Sequence, residues 1–252
     1  MRVATFNILN GRSTDDDRVD IGRFAKAIHE LDADVLGLQE VDRNQPRSDN
    51  VDLTAVAAEA MGAAEHRFVS AVSGTPGTTW IAATGDEHPD SAAYGISLLS
   101  RHPIRSWEVI RLPAAPVKVP WRFRDGGRPV LVRDEPRVAV AAVVDTPQGE
   151  MTIVNTHLSF ITWWNRRQLR RLIRCLGEAP RPLVLLGDLN MGARPACDVT
   201  RMHPLATGLT FPADQPTEQL DHILAAGELP GTTGAVHHLD LSDHRALSVD
   251  FD

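Results

Sequence analysis

Apolar and polar positions alternate along the chain with a period that switches between helical and extended spacing. The apolar runs of the N-terminal third predict strands and helices in turn, at residues 2–6 (strand), 19–31 (helix), 35–39 (buried strand) and 53–61 (helix). The middle of the chain predicts strands at residues 95–100, 107–112, 138–144 and 151–155. The C-terminal part predicts a helix over 165–176 and strands over 183–186, 222–225 and 247–251.

Two long segments lack this periodicity. Residues 113–136 are rich in Pro, Gly and Arg, and residues 191–216 contain four prolines, so we predict loops in both places. Helices near both ends and a strand-rich middle predict an α/β sandwich with central sheets, helices outside and a site at the strand ends. We expect a single domain over residues 1–252, because no low-complexity linker interrupts the chain.

Charge and composition narrow the possible partners and location. The net charge of -7 argues against a strong nonspecific nucleic-acid binder but leaves a local basic cleft possible. Cys175 and Cys197 are too few and too separated for a disulfide framework, so we expect free thiols. No segment approaches the roughly 20 apolar residues that span a bilayer. We therefore expect a cytoplasmic monomer without stable membrane insertion.

Short polar patches at the ends of apolar runs carry the candidate chemistry. They are Thr5-Phe6-Asn7, Gln39-Glu40, Asn155-Thr156-His157, Gly187-Asp188-Leu189-Asn190, Leu220-Asp221-His222 and Ser242-Asp243-His244. Glu40 follows a predicted buried strand, where a fixed carboxylate suits Mg²⁺, although a lone glutamate there is more often a solvated strand end. Asp188 can orient or deprotonate water and the Asn190 amide can donate to a phosphoryl oxygen; an Asx turn that caps the strand is an equal alternative.

Histidines stand in two of these patches. His157 follows a predicted buried strand, and His244 lies beside Asp243 just before the closing strand. Asp221 is a candidate partner for His244, since a carboxylate can fix an imidazole tautomer and raise its basicity. Asn7 is a candidate neutral metal ligand or a residue that orients the neighbouring glutamate.

No protein nucleophile accompanies these groups. The chain contains neither Gly-x-Ser-x-Gly, nor a phosphate-binding Gly-x-x-x-x-Gly-Lys-Ser/Thr loop, nor His-Glu-x-x-His. Carboxylates, amides and histidines without a nucleophile indicate metal-assisted attack by water on a phosphoester.

The pattern resembles the endonuclease/exonuclease/phosphatase superfamily, which has the DNase I-like fold. The patches above, together with Tyr-Gly-Ile-Ser-Leu-Leu-Ser-Arg-His-Pro-Ile at 94–104 and Ser-Asp-His-Arg-Ala-Leu at 242–247, are similar to its motifs and follow its order. The resemblance implies a four-layer α/β/β/α sandwich with Mg²⁺ or Mn²⁺ in a cleft between two sheets.

The resemblance also implies roles for the motif residues. Glu40 would be the main metal ligand, supported by Asn7 and Asp243. Asp188 would orient or activate water. The remaining residues would contact the phosphate or assist those that do: Asn190, His157, His244 and Asp221. Abasic-site repair is disfavoured, because Asn-Thr-His-Leu stands where the repair enzymes carry a Tyr-Pro-Asn type motif, and Leu9 where they carry an acid.

The substrate stays open between a small or lipid-derived phosphoester and a nucleic acid. Arginines accompany aromatic residues at residues 163–167 and 121–124, a combination suited to stacking on bases. The candidate substrate-binding residues are Trp164 and Arg166 from the first of these segments, with Tyr94 and Arg137 added because each stands just ahead of a predicted strand. For the segment 163–167, which leads into the predicted helix, the favoured alternative to a binding surface is an ordinary amphipathic helix with an arginine-rich solvent face. The leading hypothesis is a metal-dependent phosphoesterase; the alternatives are a nuclease acting on DNA or RNA, and an inactive scaffold that binds phosphorylated ligands.

Overall fold

Fifteen strands and four helices make up the described part of the chain. The computed structural model describes residues 1–76, 78–121, 128–227, 229 and 231–252. The strands are β1 Arg2–Asn7, β2 Val35–Arg43, β3 Glu65–Gly74, β4 Trp80–Ala82, β5 Ala93–Ser100, β6 Ile104–Leu112, β7 Val119–Trp121, β8 Val130–Val132, β9 Arg137–Thr146, β10 Gly149–His157, β11 Leu183–Asp188, β12 His203–Pro204, β13 Asp221–Ala226, β14 Thr232–His237 and β15 Ala246–Phe251. The helices are α1 Ile21–Leu31, α2 Leu53–Met61, α3 Thr162–Cys175 and α4 Ala193–Thr200.

The strands form two mixed sheets and one small hairpin. Sheet I has the order β14-β15-β1-β2-β5-β3-β4, sheet II has the order β12-β13-β11-β10-β9-β6, and β7 pairs with β8. One apolar cluster fills the space between the sheets. A second packs α1 and α2 on the outside of sheet I, and a third packs α3 and α4 on the outside of sheet II. This arrangement confirms the predicted four-layer α/β/β/α sandwich.

Each sheet contains one central parallel pair, and these pairs position the site. In sheet I, β1 runs parallel to β2, with Asn7 opposite Gln39. In sheet II, β10 runs parallel to β11, with His157 opposite Asp188. Since the carboxyl ends of parallel strands meet at one edge, the polar residues that follow them gather at one end of the sandwich.

A buried polar bridge joins the sheets directly beneath that end. Asn155 accepts a hydrogen bond from Gln39 Nε2 at 2.7 Å and donates to the carbonyls of Leu38 and Ser97 at 2.9 and 2.8 Å. Gly37 allows this approach, because a Cβ there would lie 2.1 Å from Leu186 Cδ1. The two sheets are therefore joined here by hydrogen bonds and not only by apolar contacts.

Several element boundaries differ from the sequence predictions. The second strand continues past Gln39 to Arg43 through a bulge at Glu40. The segment 191–216, predicted as a loop, contains α4 and β12, and the segment 113–136 contains β7 and β8. The predictions omitted β3, β4 and β14, which lie at or next to the sheet edges. Edge strands expose polar side chains and so lose the apolar pattern.

Helices α1 and α2 begin where polar side chains satisfy free backbone amides. The Asp20 side chain accepts from Arg23 N before α1, and the Asp52 side chain accepts from Thr54 N and Ala55 N before α2. In the described helices, no stretch has the length and apolar composition needed to cross a membrane.

Candidate active site

Asn7 connects the two sheets at the site. Its Nδ2 donates to Glu40 Oε1 at 3.2 Å and to Asp188 Oδ2 at 3.1 Å. Its Oδ1 accepts from Leu9 N at 3.2 Å, which fixes the orientation of the amide. One side chain from β1 thus holds a carboxylate of sheet I and a carboxylate of sheet II in a common position.

Glu40 owes its orientation to the bulge in β2. The register with β5 shifts between Gln39 and Val41, and Glu40 adopts a left-handed backbone conformation with φ of 57°. Such bulges redirect side chains next to functional sites. Burial and the neighbouring Asp243 carboxylate raise the pKa of Glu40, against a hydrogen bond from Asn7. The Asp243 charge raises this pKa by more than either His244 or Arg137 lowers it, so the repulsion between the two carboxylates is incompletely compensated.

Asp188 is almost completely enclosed, with 1% of its surface exposed. Gly187 precedes it with φ of 134°, and a Cβ there would lie 1.9 Å from Thr156 O, so the turn requires glycine. Burial raises the pKa of Asp188 to about 7, with Asp221 adding to the shift and His244 opposing it. A carboxylate with a pKa near neutrality is suited to accept a proton from water.

Asn190 follows in a left-handed conformation with φ of 50°. Its backbone N donates to Asp188 Oδ1 at 2.9 Å, so the predicted Asx turn is present. Its Nδ2 donates to Leu158 O at 3.0 Å and lies 3.2 Å from His157 Nε2. The turn and the placement of the amide at the site are therefore two consequences of one local conformation.

His157 is held as a neutral imidazole. Its Nδ1 lies 3.2 Å from Arg137 Nη1. Because a guanidinium can only donate, Nδ1 accepts, and the ring proton belongs on Nε2, which lies 3.5 Å from Asp188 Oδ2. Burial and the Arg137 charge hold the pKa of His157 well below its usual value. This histidine can offer an N–H donor without carrying a charge.

His244 has the opposite character. Its Nδ1 lies 2.8 Å from Asp221 Oδ2, and its Nε2 lies 3.8 Å from Asp188 Oδ2. Burial by itself lowers the pKa of His244, but the carboxylates of Asp221, Asp188 and Asp243, with Asp221 contributing most, together outweigh burial and raise the pKa to about 10. The imidazole is therefore a cation at neutral pH, with both carboxylates close to it.

Asp243 and Ser242 complete the site from the loop before β15. Ser242 has φ of 68°, donates from its Oγ to Asn7 O at 2.6 Å and accepts from His244 N at 3.1 Å. This turn fixes the segment against β1 and brings the Asp243 charge near Glu40.

The donor set fits a hard divalent cation. Glu40 and Asp243 offer carboxylate oxygens, and Asn7 adds an amide oxygen when its side chain turns Oδ1 from Leu9 N towards Glu40. Mg²⁺ and Mn²⁺ prefer such oxygen ligands. Repulsion between the Glu40 and Asp243 carboxylates contributes to the raised pKa of Glu40. A bound cation would reduce this repulsion. A second group, Asp188, Asp221 and His244, has donor atoms within 4.8 Å of one another. That group fits a metal less well, because a protonated imidazole has no free lone pair.

Two of the four predicted substrate residues lie near this cluster. Arg137 is 7% exposed and contacts His157. Tyr94 is 8% exposed, and burial followed by the Glu40 charge raises its pKa well above the usual value. The guanidinium of Arg47 lies 5.4 Å from the Tyr94 ring and is held by two 2.7 Å hydrogen bonds to the buried Asp42.

The structure does not bring the other two predicted substrate residues to the cluster. Trp164 is 7% exposed, donates from Nε1 to Pro113 O at 2.8 Å and packs in a small apolar cluster, so its ring is not free to stack on a base. Arg166 is exposed on α3, in a shallow pocket shared with α4. In the central segment, residues 122–124 lie outside the described residues.

The sequence analysis did not single out Asn165, although it supports the site. Its Nδ2 donates to Asn190 O at 2.8 Å, which fixes the turn after β11 from helix α3. The signal in the sequence is a polar residue at a buried helix position: Asn165 and Gln168 share the buried face of α3 with Leu169 and Leu172.

Comparison with models of known protein families agrees with the resemblance seen in the sequence motifs. The model of the endonuclease/exonuclease/phosphatase family matches residues 4–244. The chain belongs to this family. The family includes phosphatases and nucleases, and membership places the chain among hydrolases of phosphoesters. A search of curated proteins found no match.

Solved structures of the family share the fold at low sequence identity. An endonuclease/exonuclease/phosphatase from Beutenbergia cavernae has a TM-score of 0.71 at 23% identity, over 99% of this chain and 70% of that one. A mannosyl-6-phosphatase from Bacteroides thetaiotaomicron has a TM-score of 0.63 at 18% identity, over 100% and 99%. A beta toxin from Staphylococcus aureus with bound magnesium ions has a TM-score of 0.65 at 12% identity, over 100% and 99%.

Proposed function

We propose that the chain is a divalent-metal-dependent phosphoesterase in which water attacks phosphorus directly. The observation that carries this proposal is the convergence on Asp188 Oδ2 of Asn7 at 3.1 Å, His157 at 3.5 Å and His244 at 3.8 Å. These groups come from both sheets, and none is a serine or cysteine nucleophile. An enclosed carboxylate surrounded by donors is suited to hold and deprotonate a water molecule.

Each residue has a role that follows from its protonation state. Asp188, with a pKa of about 7, accepts the proton of the attacking water. His244, with a pKa of about 10, presents a cation to the phosphoryl oxygens, and Asp221 maintains that charge. His157 and Asn190 offer neutral N–H donors to the same oxygens. Preorganised donors of this kind stabilise the charge that develops in the transition state.

Glu40, Asp243 and Asn7 would hold the Mg²⁺ or Mn²⁺ ion. When bound, the ion would neutralise phosphoryl charge and act as a Lewis acid on a phosphate oxygen. The crowding of Glu40 and Asp243 supports this assignment, as does the magnesium bound to the structurally similar beta toxin. Asn7 then has a further role, because its amide keeps Glu40 in register with Asp188.

A phosphomonoester or phosphodiester fits this chemistry, and the substrate can be a small molecule, lipid-derived or a nucleic acid. The mannosyl-6-phosphatase among the structural neighbours supports a small phosphomonoester, while the family also includes nucleases. An inactive scaffold is the weaker alternative, because the carboxylates, amides and histidines of the site are all present.

The test is a hydrolysis panel at neutral pH with bis-p-nitrophenyl phosphate, p-nitrophenyl phosphate, supercoiled plasmid and single-stranded RNA. Each substrate is incubated with Mg²⁺, Mn²⁺ or EDTA, with Asp188→Ala as the inactive control. Hydrolysis that disappears in EDTA and in the variant supports the proposal, and the substrates cleaved separate a nuclease from a small-substrate enzyme. Hydrolysis that persists in EDTA, or in Glu40→Ala and His244→Ala, would contradict it.

A further inference from the structure

A groove with a volume of about 760 Å³ lies at the free edges of the two sheets, away from the strand ends that form the candidate active site. Strands β3 and β6 and helix α3 contribute to its wall. Four arginines line it: Arg43, Arg67, Arg111 and Arg171. Two acids also line it, Glu87 and Glu108, so the groove carries an excess of positive charge in a chain whose net charge is -7.

The arginine side chains are positioned by groups other than carboxylates. The Arg43 guanidinium lies 4.7 Å from the centre of the Phe68 ring, and the Arg67 guanidinium lies 5.6 Å from the Trp107 ring. Stacking on an aromatic face fixes a guanidinium without neutralising its charge.

Arg111 is fixed in a comparable way. Its Nη1 donates to Ser70 O at 3.2 Å. The absence of a side chain at Gly85 leaves room for it, because a Cβ there would lie 2.9 Å from Arg111 Nη2. Of the two acids of the groove, Glu87 accepts hydrogen bonds from the backbone amides of Thr84 and Gly85.

Carboxylates neutralise some of the arginines elsewhere on the surface. Arg2 pairs with Asp250, Arg23 with Asp16, Arg101 with Asp32, and Arg105 with Asp145 and Glu150, whereas within the described residues none of the four groove arginines forms such an ion pair. Arginines such as Arg166 and Arg170 of α3 form no ion pair among the described residues either, so the groove is distinguished by four unpaired guanidinium groups on one concave surface. Unneutralised cations in one concave surface attract anions from solution.

The groove leads towards the candidate active site. An adjoining cavity of about 310 Å³ shares Arg111 and Arg171 with it and is also lined by Arg137. Arg137 in turn lies 3.2 Å from His157. Positive charge therefore extends from the sheet edges to the proposed phosphate-binding residues.

We propose that this groove, lined by Arg43, Arg67, Arg111 and Arg171, binds a linear chain of phosphate groups. This inference rests on the proposed function: the groove would hold the part of an extended substrate that lies beyond the scissile phosphate. The phosphate chain can come from a single-stranded oligonucleotide or from an inorganic oligophosphate, and both present negative charges at intervals that separated guanidinium groups can contact.

Binding is measured in EDTA, where the proposed hydrolysis does not interfere. The probes are a fluorescently labelled single-stranded oligonucleotide, followed by anisotropy, and tripolyphosphate, followed by calorimetry, each over a range of salt concentrations. The test variant is Arg67→Gln/Arg171→Gln, which changes two exposed side chains and removes one stacking contact, that of Arg67 on Trp107. The matched control is Arg105→Gln, an exposed arginine of β6 whose charge is already paired.

We expect the wild type to bind at least one probe, with an affinity that falls as salt rises. The double variant should bind about 10-fold or more weakly, and the slope of log affinity against log salt should decrease by about 1–2, whereas Arg105→Gln should match the wild type. Binding of the oligonucleotide alone or of tripolyphosphate alone identifies the source of the phosphate chain.

Two results would overturn the inference: equal affinity of the wild type and the double variant, or binding to phosphatidylserine vesicles but to neither soluble probe. Hydrolysis of bis-p-nitrophenyl phosphate is measured in parallel and should be unchanged in the double variant. A wild type that binds through the groove but hydrolyses nothing with any metal would refute the proposed function and leave the groove assignment intact.

Discussion

Replacement of Asp188 by asparagine should make the metal-free protein more stable at alkaline pH while it abolishes hydrolysis. Folded Asp188 keeps its proton up to about pH 7, whereas an unperturbed aspartate loses it near pH 3.8. Between these pH values the folded state binds more protons than the unfolded state. The free energy of unfolding of the wild type therefore falls as pH rises through this window.

The size of the effect follows from the width of the window. A separation of about 3 pH units corresponds to about 4 kcal/mol. Asparagine removes this cost, but its new NH₂ group faces Asn7 Nδ2, which loses the acceptor it has at 3.1 Å. Loss of that hydrogen bond costs about 1–2 kcal/mol. We expect Asp188→Asn to be about 2–3 kcal/mol more stable than the wild type at pH 8 and slightly less stable at pH 4.

The assay is urea denaturation in EDTA at several pH values between 4 and 8, for the wild type and the variant. The control is Asp134→Asn, which removes another fully buried carboxylate, but one that accepts hydrogen bonds from Ala115 N and Ser159 Oγ and should therefore be destabilising. Parallel pH profiles for Asp188→Asn and the wild type, without a crossing point, would refute the assignment of a strained, proton-accepting carboxylate.

Further predictions concern the second histidine and the contact between the sheets. Asp221→Asn should lower the pKa of His244 from about 10 in EDTA, because only the Asp188 and Asp243 charges then oppose burial; NMR titration measures this, and the turnover number at pH 7 should fall about 10²–10³-fold. An unchanged imidazole pKa would contradict it. Gly37→Ala should lower the free energy of unfolding by about 1–3 kcal/mol, because the new Cβ would overlap Leu186. Gly192→Ala, where an added Cβ meets no described atom within 4 Å, is the control and should be nearly neutral in the same urea titration.

The sequence predicted those elements whose apolar pattern is reinforced at their ends. Helix α2 has the predicted bounds, 53–61, because Asp52 caps its start and Gly62 ends it in a left-handed conformation. Helix α4 was missed, because it is short, contains Pro195 and buries only Ala196 and Thr200. Its stability comes from packing on α3 and sheet II, which no local pattern records.

The sequence predicted which residues belong to the candidate site but not which hydrogen bonds join them. Polar residues that end buried strands identify Asn7, His157 and Asp188, because strand ends meet at one edge of a sheet. The hydrogen bond from Asn7 to Asp188 depends on how two sheets face each other, and that relation is absent from either strand alone. The tryptophan at position 164 shows the converse: its neighbours in the sequence suggested a binding surface, but an acceptor at Pro113 and an apolar cluster bury it.

The buried Asn155 bridge gives the sandwich a fixed alignment. Apolar contacts are nondirectional, and two sheets joined only by them can slide past one another at small cost. Asn155 makes three directional hydrogen bonds to the opposite sheet, and a displacement of about 1 Å would break them. Groups from both sheets converge on Asp188 Oδ2, so the geometry of the site depends strongly on this alignment. The stability of each sheet depends on it less. A protein with a loosened bridge would remain folded and compact, yet its reactive groups would no longer meet.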